Sequence, residues 1–378
     1  MTGKSVYSRD RLRLAGARGF SLLEMLVAMA VFLIVSSAAF TLFDNQQKVL
    51  YQQQGVGGLN IGLRNALTQI QMDAANAGYG MLSGAYAPAW PVGVDIKNQN
   101  PATACNNPAT FQYGPTCFDT LVIILADRNT PTCTLAANLN TSTATTATIT
   151  PTNGLAASTY YKNFTAGSEL MVVSGSLTPY FTTITLTSAA TLSGSNIAIS
   201  FTSTSAPVLP SPPGDPGGIN PMDSPCPPTG TGYCITTDAL AAYRGVSFNA
   251  NTDWVIRLAP VTYTVSTANP NDPQLTRQVF GSTPVEVMDQ VVAFKVGAAL
   301  VNDNSGNYYY NASDASANHQ YGGYGNDFTL VRSIRVSLMA RTPPNSALGY
   351  KNQFDQGPYQ VLGASVVVNP RNLSMNDY

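Results

Sequence analysis

The apolar segment from Phe20 to Phe43 constrains the fold more than any other feature of the chain. It reads FSLLEMLVAMAVFLIVSSAAFTLF, and Glu24 is its only charged residue. As a helix that rises about 1.5 Å per residue, the segment would be roughly 36 Å long, slightly longer than the hydrocarbon core of a bilayer. The sequence therefore predicts an N-terminal helix that crosses a membrane once.

Residues 1–19 form a basic leader before this segment, with five Lys and Arg residues and a single acid, Asp10. Because positive flanks stay in the cytoplasm, we expect the chain after Phe43 to be exported. Gly19 is a small residue between the leader and the apolar segment. An ordinary secretory signal places its cleavage site after the apolar region, whereas cleavage after Gly19 would remove the charges and keep the helix.

Glu24 makes insertion of this segment into a membrane less favourable, so its presence needs a physical explanation. The apolar side chains of the segment contribute about 6 kcal/mol of insertion free energy, and one central acid costs about 3 kcal/mol. Acids inside a membrane generally have a functional partner. Cleavage after Gly19 would create an α-amine at Phe20, one helical turn from Glu24, in the same chain or in an adjacent helix. The alternative is an acid that reaches the interface from near the helix end.

The run from Arg18 to Met29, RGFSLLEMLVAM, resembles the class III signal of type IV pilins and pseudopilins. The resemblance implies that a prepilin peptidase cleaves between Gly19 and Phe20 and that the new N-terminal Phe20 is methylated. It also implies that Glu24 contacts the N-terminus of a neighbouring subunit during assembly.

The helical pattern continues beyond the membrane segment, over residues 44–78. Apolar residues recur there at three- and four-residue steps, which predicts a stripe that docks on a sheet: Leu59, Leu63, Ala66, Ile70, Ala74 and Ala77. Glycines at 55, 57 and 58 predict a looser joint in the helix, and Gly78 predicts its C-terminal cap. The stretch QMDAANAGYG at residues 71–80 resembles the helix end of PilW-type minor pilins.

After Gly80 the sequence changes to short β-rich runs separated by turn residues. A Thr-, Ser- and Ala-rich stretch covers residues 138–205, and a Pro- and Gly-rich connector follows at residues 206–232. We predict a β-rich region with an insertion at 79–232 and an antiparallel sheet region at 233–378, with the connector as the boundary. The alternative for the connector is a long surface loop.

The last third of the chain has clearer strands, which begin with WVIRLAPVTYTV at Trp254. In a later strand, Ile334, Val336 and Leu338 alternate with Arg335, Ser337 and Arg341, which predicts one buried and one wetter face. The order of these strands resembles the C-terminal half of PilW-like minor pilins and of the J-type pseudopilins of type II secretion. The predicted fold class is α+β, with a long N-terminal helix packed on an antiparallel sheet as in the pilin fold, and a large β-rich insertion.

The five cysteines all lie in the part of the chain that we expect to be exported. They lack the paired close spacing of a zinc site, so disulfides in an oxidising compartment are the preferred interpretation. Short loops favour Cys105 with Cys117 and Cys226 with Cys234, which would leave Cys133 unpaired. The alternative is that some are buried thiols.

No pattern in the sequence predicts catalysis or a bound cofactor. His319 is the only histidine, and neither a nucleophile elbow nor a phosphate-binding loop is present. Asn302, Asp303 and Asn304 form a weak calcium candidate without a closing Glu, and a hairpin turn is the preferred interpretation. The net charge of −1 disfavours binding to nucleic acid. We therefore expect a protein that is not an enzyme.

Together these features predict a minor, low-copy type IV pilin that is built into a pilus or primes its assembly, near the tip. The resemblance implies these partners: the prepilin peptidase, major and other minor pilins, the assembly platform in the inner membrane and a tip adhesin. It also implies a single inner-membrane pass and a periplasmic C-terminal domain, followed by a place on the pilus at the cell surface. The alternatives are a minor pseudopilin of type II secretion, a membrane-anchored adhesin that never polymerises, and an exported hydrolase with a pilin-like anchor.

Overall fold

The computed structural model describes residues 21–80, 93–97, 105–107, 109–140, 144–173, 181–201, 247–300, 308, 331–343 and 351–370. The helices are α1 (Leu22–Ala74) and the short α2 (Ala157–Tyr160), with 3₁₀ turns at Pro115–Cys117 and Tyr161–Asn163. The described strands are β1 (Val94–Lys97), β2 (Asn106–Asn107), β3 (Gln112–Tyr113), β4 (Thr120–Ile123), β5 (Cys133–Leu135), β6 (Leu139–Asn140), β7 (Thr146–Pro151), β8 (Glu169–Val173), β9 (Phe181–Thr185), β10 (Thr191–Ser193), β11 (Asn196–Ser200), β12 (Ser247–Phe248), β13 (Trp254–Arg257), β14 (Val261–Ser266), β15 (Gln274–Val279), β16 (Val285–Met288), β17 (Val291–Leu300), β18 (Val331–Arg341) and β19 (Val361–Val368).

The chain forms two compact units, Met1–Gly55 and Val56–Tyr378. The first unit contains the N-terminal part of α1, and the second contains the rest of α1 and every described strand. The predicted joint at the glycines does not break the helix, because α1 continues through residues 55–58. The division between the units nevertheless falls at Gly55 and Val56.

The apolar stripe predicted for the second half of α1 is confirmed. Within the second unit all six of its side chains belong to one hydrophobic core, and each is at most 8% exposed: Leu59, Leu63, Ala66, Ile70, Ala74 and Ala77. The repeat of three and four residues places them on a single helix face. This face packs in the same core as the five-stranded sheet, so the helix-on-sheet arrangement predicted from sequence is present.

The regular helix ends at Ala74, four residues before the predicted cap at Gly78. After Ala74 the last turn tightens, with the N–H of Asn76 donating to the carbonyl of Asp73 at 3.0 Å. Gly78 then adopts a φ of 74°, the left-handed conformation that glycine tolerates best. Its N–H donates to the carbonyl of Ile124 at 2.8 Å, which ties the helix end to the chain just after β4.

A five-stranded antiparallel sheet and a three-stranded antiparallel sheet surround this first core. The larger has the order β1-β4-β14-β15-β16, and the smaller has the order β17-β18-β19. The predicted alternation in β18 is confirmed for Ile334, Val336 and Leu338, which are fully buried, and for Arg335, which is exposed. The α+β class and the antiparallel pairing predicted from sequence are therefore correct.

Arg341 corrects the sequence interpretation, which placed it on the wetter face of β18. Its side chain is buried, with only 2% exposed. The guanidinium donates to the carbonyls of Phe111 and Asn271 and to the side chain of Gln290, each at 2.8 Å. It also lies 4.2 Å from the ring centroid of Tyr359. Contacts from distant segments cover this residue, which strand alternation alone does not reveal.

A seven-stranded antiparallel sheet carries a second hydrophobic core. Its order is β10-β11-β7-β5-β13-β8-β9. In β8, Leu170 and Val172 belong to the second core, whereas Met171 and Val173 belong to the first. Because both faces of this strand are covered, it has no polar alternation, as is typical of a strand buried on two sides.

Strands that lie on the two sides of residues 206–232 in sequence pair with one another in the sheets. WVIRLAPVTYTV was predicted as one strand, but the structure divides it into β13, in the seven-stranded sheet, and β14, in the five-stranded sheet. Conversely, β1 and β4 precede the connector and pair in the sheet that contains β14. The connector itself lies outside the described residues.

Candidate functional site

Helix α1 begins with a capping box that contains Glu24. The N–H of Ser21 donates to Oε2 of Glu24 at 2.9 Å, and the N–H of Glu24 donates to Oγ of Ser21 at 3.2 Å. Two N–H groups that the helix itself leaves without partners are satisfied in this way. The spacing S-x-x-E is a known sequence signature of such a cap, and our sequence interpretation missed it because it considered the amine of Phe20 and the membrane interface but not the backbone of the first turn.

The apolar part of α1 is exposed on all sides. Phe32 is 69% exposed, Leu33 66% and Ile34 70%, and consecutive residues of a helix point in directions about 100° apart. Within the described part of the chain, α1 is the one helix long and apolar enough to cross a membrane by length and composition. A helix that is apolar all round requires cover from outside its own surface. Gly19 and Phe20, the predicted cleavage and methylation site, lie outside the described residues.

An ion pair that the sequence interpretation did not find ties the other end of α1 to the sheet. Oδ2 of Asp73 accepts the hydroxyl of Tyr263 and Nε–H of Arg277, both at 2.6 Å, and Oδ1 lies 3.3 Å from Nη2 of Arg277. Burial and the neighbouring carboxylate raise the pKa of Tyr263. Hydrogen bonding to Asp73 raises the pKa of Arg277. The helix end is thus held by one carboxylate and two sheet side chains.

The structure joins Cys105 and Cys117 by a disulfide, the bond that the short loop favours. The N–H of Gly114 donates to the carbonyl of Cys105 at 2.8 Å, so the loop is also closed by the backbone. Cys133 is a buried free thiol, and burial raises its pKa to about 12. Cys226 and Cys234 lie outside the described residues.

The loop closed by this disulfide contacts the segment that follows β18. The hydroxyl of Tyr113 donates to Oδ2 of Asp355 at 2.6 Å. Burial of Asp355 would raise its pKa, but hydrogen bonds from Tyr113, Asn352 and the N–H of Gly357 outweigh burial and lower it. The same burial, together with the bond to Asp355, raises the pKa of Tyr113. The disulfide therefore supports a contact more than 200 residues away in sequence.

The remaining site predictions fall where the structure gives no description. The weak calcium candidate at Asn302, Asp303 and Asn304 lies outside the described residues, as does His319. Among the residues that are described, no group of three or more His, Cys, Asp and Glu side chains could hold a metal ion. These predictions stay untested.

Comparison with known proteins adds direct evidence at the N-terminus. A family model described as the prokaryotic N-terminal methylation motif matches residues 14–40, which include Gly19, Phe20 and Glu24. No curated protein matches the chain. Among solved structures, the chain is similar to the type IV-like pilin TTHA1219 from Thermus thermophilus, with 14% identity over 57% of this chain and 92% of that chain. The TM-score of 0.19 is too low for this similarity to support an argument about fold or function. The chain thus carries a prepilin-type methylation motif, which implies processing by a prepilin peptidase, at the start of an α+β protein.

Proposed function

We propose that the chain is a minor type IV pilin that is cleaved between Gly19 and Phe20, methylated at Phe20, and incorporated into a pilus or used to prime its assembly. The observation that carries this proposal is the exposed apolar part of α1, which overlaps a methylation motif at residues 14–40. The remaining steps follow from the physical chemistry of that helix.

An exposed apolar helix has two favourable environments, the bilayer and a bundle of similar helices. Burying a large apolar side chain contributes about 1.5–3 kcal/mol, so Leu22, Phe32 and Phe40 would make exposure to water strongly unfavourable. Lipid covers these side chains before assembly. After extraction from the membrane, the equivalent helices of neighbouring subunits would cover them.

Glu24 supplies the polar contact that such a bundle needs. Its carboxylate is engaged with Ser21 through Oε2, but a carboxylate has about four lone-pair sites and can accept further bonds. The α-amine created at Phe20 of a neighbouring subunit is a complementary charge. Because two charges attract most strongly in an apolar environment, this pair would favour one register of the helices over others.

The exported part of the chain supports a low-copy role. The second unit, Val56–Tyr378, contains two hydrophobic cores and three sheets of three or more strands. A subunit of this size is difficult to repeat along a closely packed fibre, so we place it near the tip. Its partners would be the assembly platform in the inner membrane, the major and other minor pilins, and a tip adhesin. We also propose that it has no catalytic activity.

A minor pseudopilin of a type II secretion system is the second candidate, because the N-terminal motif supports both roles equally. The two roles differ in their partners alone. Crosslinking from the exported domain would identify either pilus subunits or secretion-system subunits. A membrane-anchored adhesin that never polymerises would instead retain residues 1–19 and be absent from sheared fibres.

The test is a comparison of Glu24→Gln and Glu24→Ala with the parent chain in the bacterium that assembles the fibre. Gln keeps the capping geometry, since Glu and Gln both serve at this position, but it removes the charge. We expect both variants to be cleaved and inserted normally and to enter sheared fibres about tenfold less than the parent, as expected when an ion pair in an apolar environment is lost.

Asp44→Asn is the matched control, because it removes a carboxylate from an exposed position of the same helix, where Asp44 pairs with Lys48 at 2.5 Å. Its incorporation should equal that of the parent. Mass spectrometry of the mature N-terminus should find N-methylated Phe20. A chain that still begins at Met1, or normal incorporation of Glu24→Gln, contradicts the proposal.

A further inference from the structure

A cleft of about 360 Å³ lies in the second unit, where the chain passes from the seven-stranded to the five-stranded sheet. Residues from four segments distant in sequence form its walls: Asp127 and Asn129 after β4, Lys162, Asn163 and Thr165 before β8, Arg257–Ala259 from the end of β13, and Val279–Phe280 at the end of β15. Concave sites between two packed parts of a protein are common positions for small ligands.

The one carboxylate in the cleft wall is already satisfied. Oδ2 of Asp127 forms an ion pair with Nη1 of Arg257 and accepts the hydroxyl of Thr130 at 2.6 Å, and Oδ1 accepts the N–H of Asn129 at 3.0 Å. Burial would raise the pKa of Asp127, but the bonds from Thr130, Asn129 and Arg257 outweigh burial and lower it. Asp127 therefore stays ionised at neutral pH and offsets the charge of Arg257.

Positive charge and N–H donors remain in excess around the cleft. Lys162 is exposed at its edge and forms no ion pair with any residue that the structure describes. The side chain of Arg257 lines the cleft and is 19% exposed, whereas its Nε, which has no hydrogen-bond partner within the described part of the chain, is buried. A guanidinium carries five N–H donors, and Asp127 engages it through Nη1. The cleft thus has a net charge of about +1, which favours an anionic ligand.

Another part of the cleft wall is apolar. Leu258 is fully buried, and Val279 and Phe280 are partly exposed to the cleft. A dianion such as phosphate would gain nothing from this wall and would leave one of its charges without a partner. A monoanion with an apolar body fits both parts of the wall.

We propose that this cleft binds a small organic carboxylate, with its acid group at Lys162 and Arg257 and its apolar body on Val279 and Phe280. The proposal goes beyond the assembly function and is independent of it, because the cleft lies entirely within the second unit. Binding can therefore be measured on a chain that never enters a fibre.

The test is isothermal titration calorimetry of the full chain in lipid nanodiscs, with sodium benzoate as the probe. Benzamide has the same ring without the charge and is the neutral control. We expect one benzoate per chain and about tenfold or greater weakening for benzamide, as expected when a charge-assisted hydrogen bond is lost. Inorganic phosphate should bind more weakly than benzoate.

Two variants and one matched control test the location. Lys162→Gln should weaken benzoate binding about tenfold or more, since it removes the charged donor at the edge. Ala259→Leu should abolish binding by filling the cleft, with its folding checked by thermal unfolding. Lys351→Gln removes the same charge at another exposed position and should leave binding unchanged. Absence of saturable benzoate binding, equal binding of benzamide, tighter binding of phosphate, or equal losses in Lys162→Gln and Lys351→Gln would each overturn the proposal.

Discussion

The ion pair between Asp73 and Arg277 offers the sharpest test of how α1 is held on the sheet. Asp73 lies one residue before the end of α1, where an acid is disfavoured by about 0.3–1 kcal/mol because the C-terminal end of a helix carries partial negative charge. Its position is therefore explained by its partners, Arg277 and Tyr263, and not by the helix. The side chains of Asp73 and Arg277 are 17% and 28% exposed.

The substitutions Asp73→Asn and Arg277→Gln should lower the free energy of unfolding by different amounts. Breaking a fully buried pair costs about 3–5 kcal/mol, and partial exposure to water reduces this for both. Asp73→Asn leaves Arg277 without its partner but removes the unfavourable charge at the helix end, so we expect a loss of about 1.5–2.5 kcal/mol in the free energy of unfolding. Arg277→Gln leaves the carboxylate of Asp73 at the helix end without its cation. The loss in the free energy of unfolding should therefore be larger, at about 2–3 kcal/mol.

The assay is urea unfolding of the full chain in a mild non-ionic detergent, followed by far-UV circular dichroism, for both single variants and the double variant. Residues in one hydrogen-bonded ion pair should be coupled, so the double variant should be about 1–2 kcal/mol more stable than the sum of the single losses predicts. Strictly additive losses, or a smaller loss for Arg277→Gln than for Asp73→Asn, would refute this explanation of the helix end.

Two further predictions concern the disulfide between Cys105 and Cys117 and the titration of Asp355. Replacing Cys105 and Cys117 with Ser should lower the free energy of unfolding by about 3 kcal/mol, from the entropy of the freed loop. In the same urea assay, dithiothreitol should lower the stability of the parent by at least this amount, and it should lower that of the variant by less. The pKa of Asp355 is lowered by folding, so its stabilisation is present above the unfolded pKa of about 3.9 and is lost as the pH falls through the folded pKa. Stability measured from pH 7 down to pH 2 should therefore decline in acid, and Asp355→Asn should make that decline shallower; an unchanged slope would contradict the assignment.

The parts of the fold that were predictable from sequence depend on local periodicity. The stripe from Leu59 to Ala77 was identified because a helix repeats every 3.6 residues, and the inward positions of β18 because a strand repeats every two. Gly78 was identifiable as a cap because few other residues adopt a positive φ readily. The buried face of each of these elements depends on neighbours in the sequence, so the local pattern was sufficient to identify it.

The errors came from contacts between residues distant in sequence. Arg341 was placed on a wet face because alternation assigns it there, but Phe111, Asn271 and Tyr359 cover it. Asp73 and Arg277 are about two hundred residues apart, so no local pattern pairs them. In the candidate site, the motif around Glu24 was recognisable because it is contiguous, whereas the cleft is assembled from four separated segments and has no sequence signature.

The dual burial of β8 limits how this protein can be shortened or redesigned. Met171 and Val173 face the core that contains α1, while Leu170 and Val172 face the core of the seven-stranded sheet. Deleting the Thr- and Ser-rich region as though it were a removable decoration would therefore strip apolar cover from the core that holds the helix. Any minimal version of the second unit has to retain this strand or supply other apolar side chains in its place.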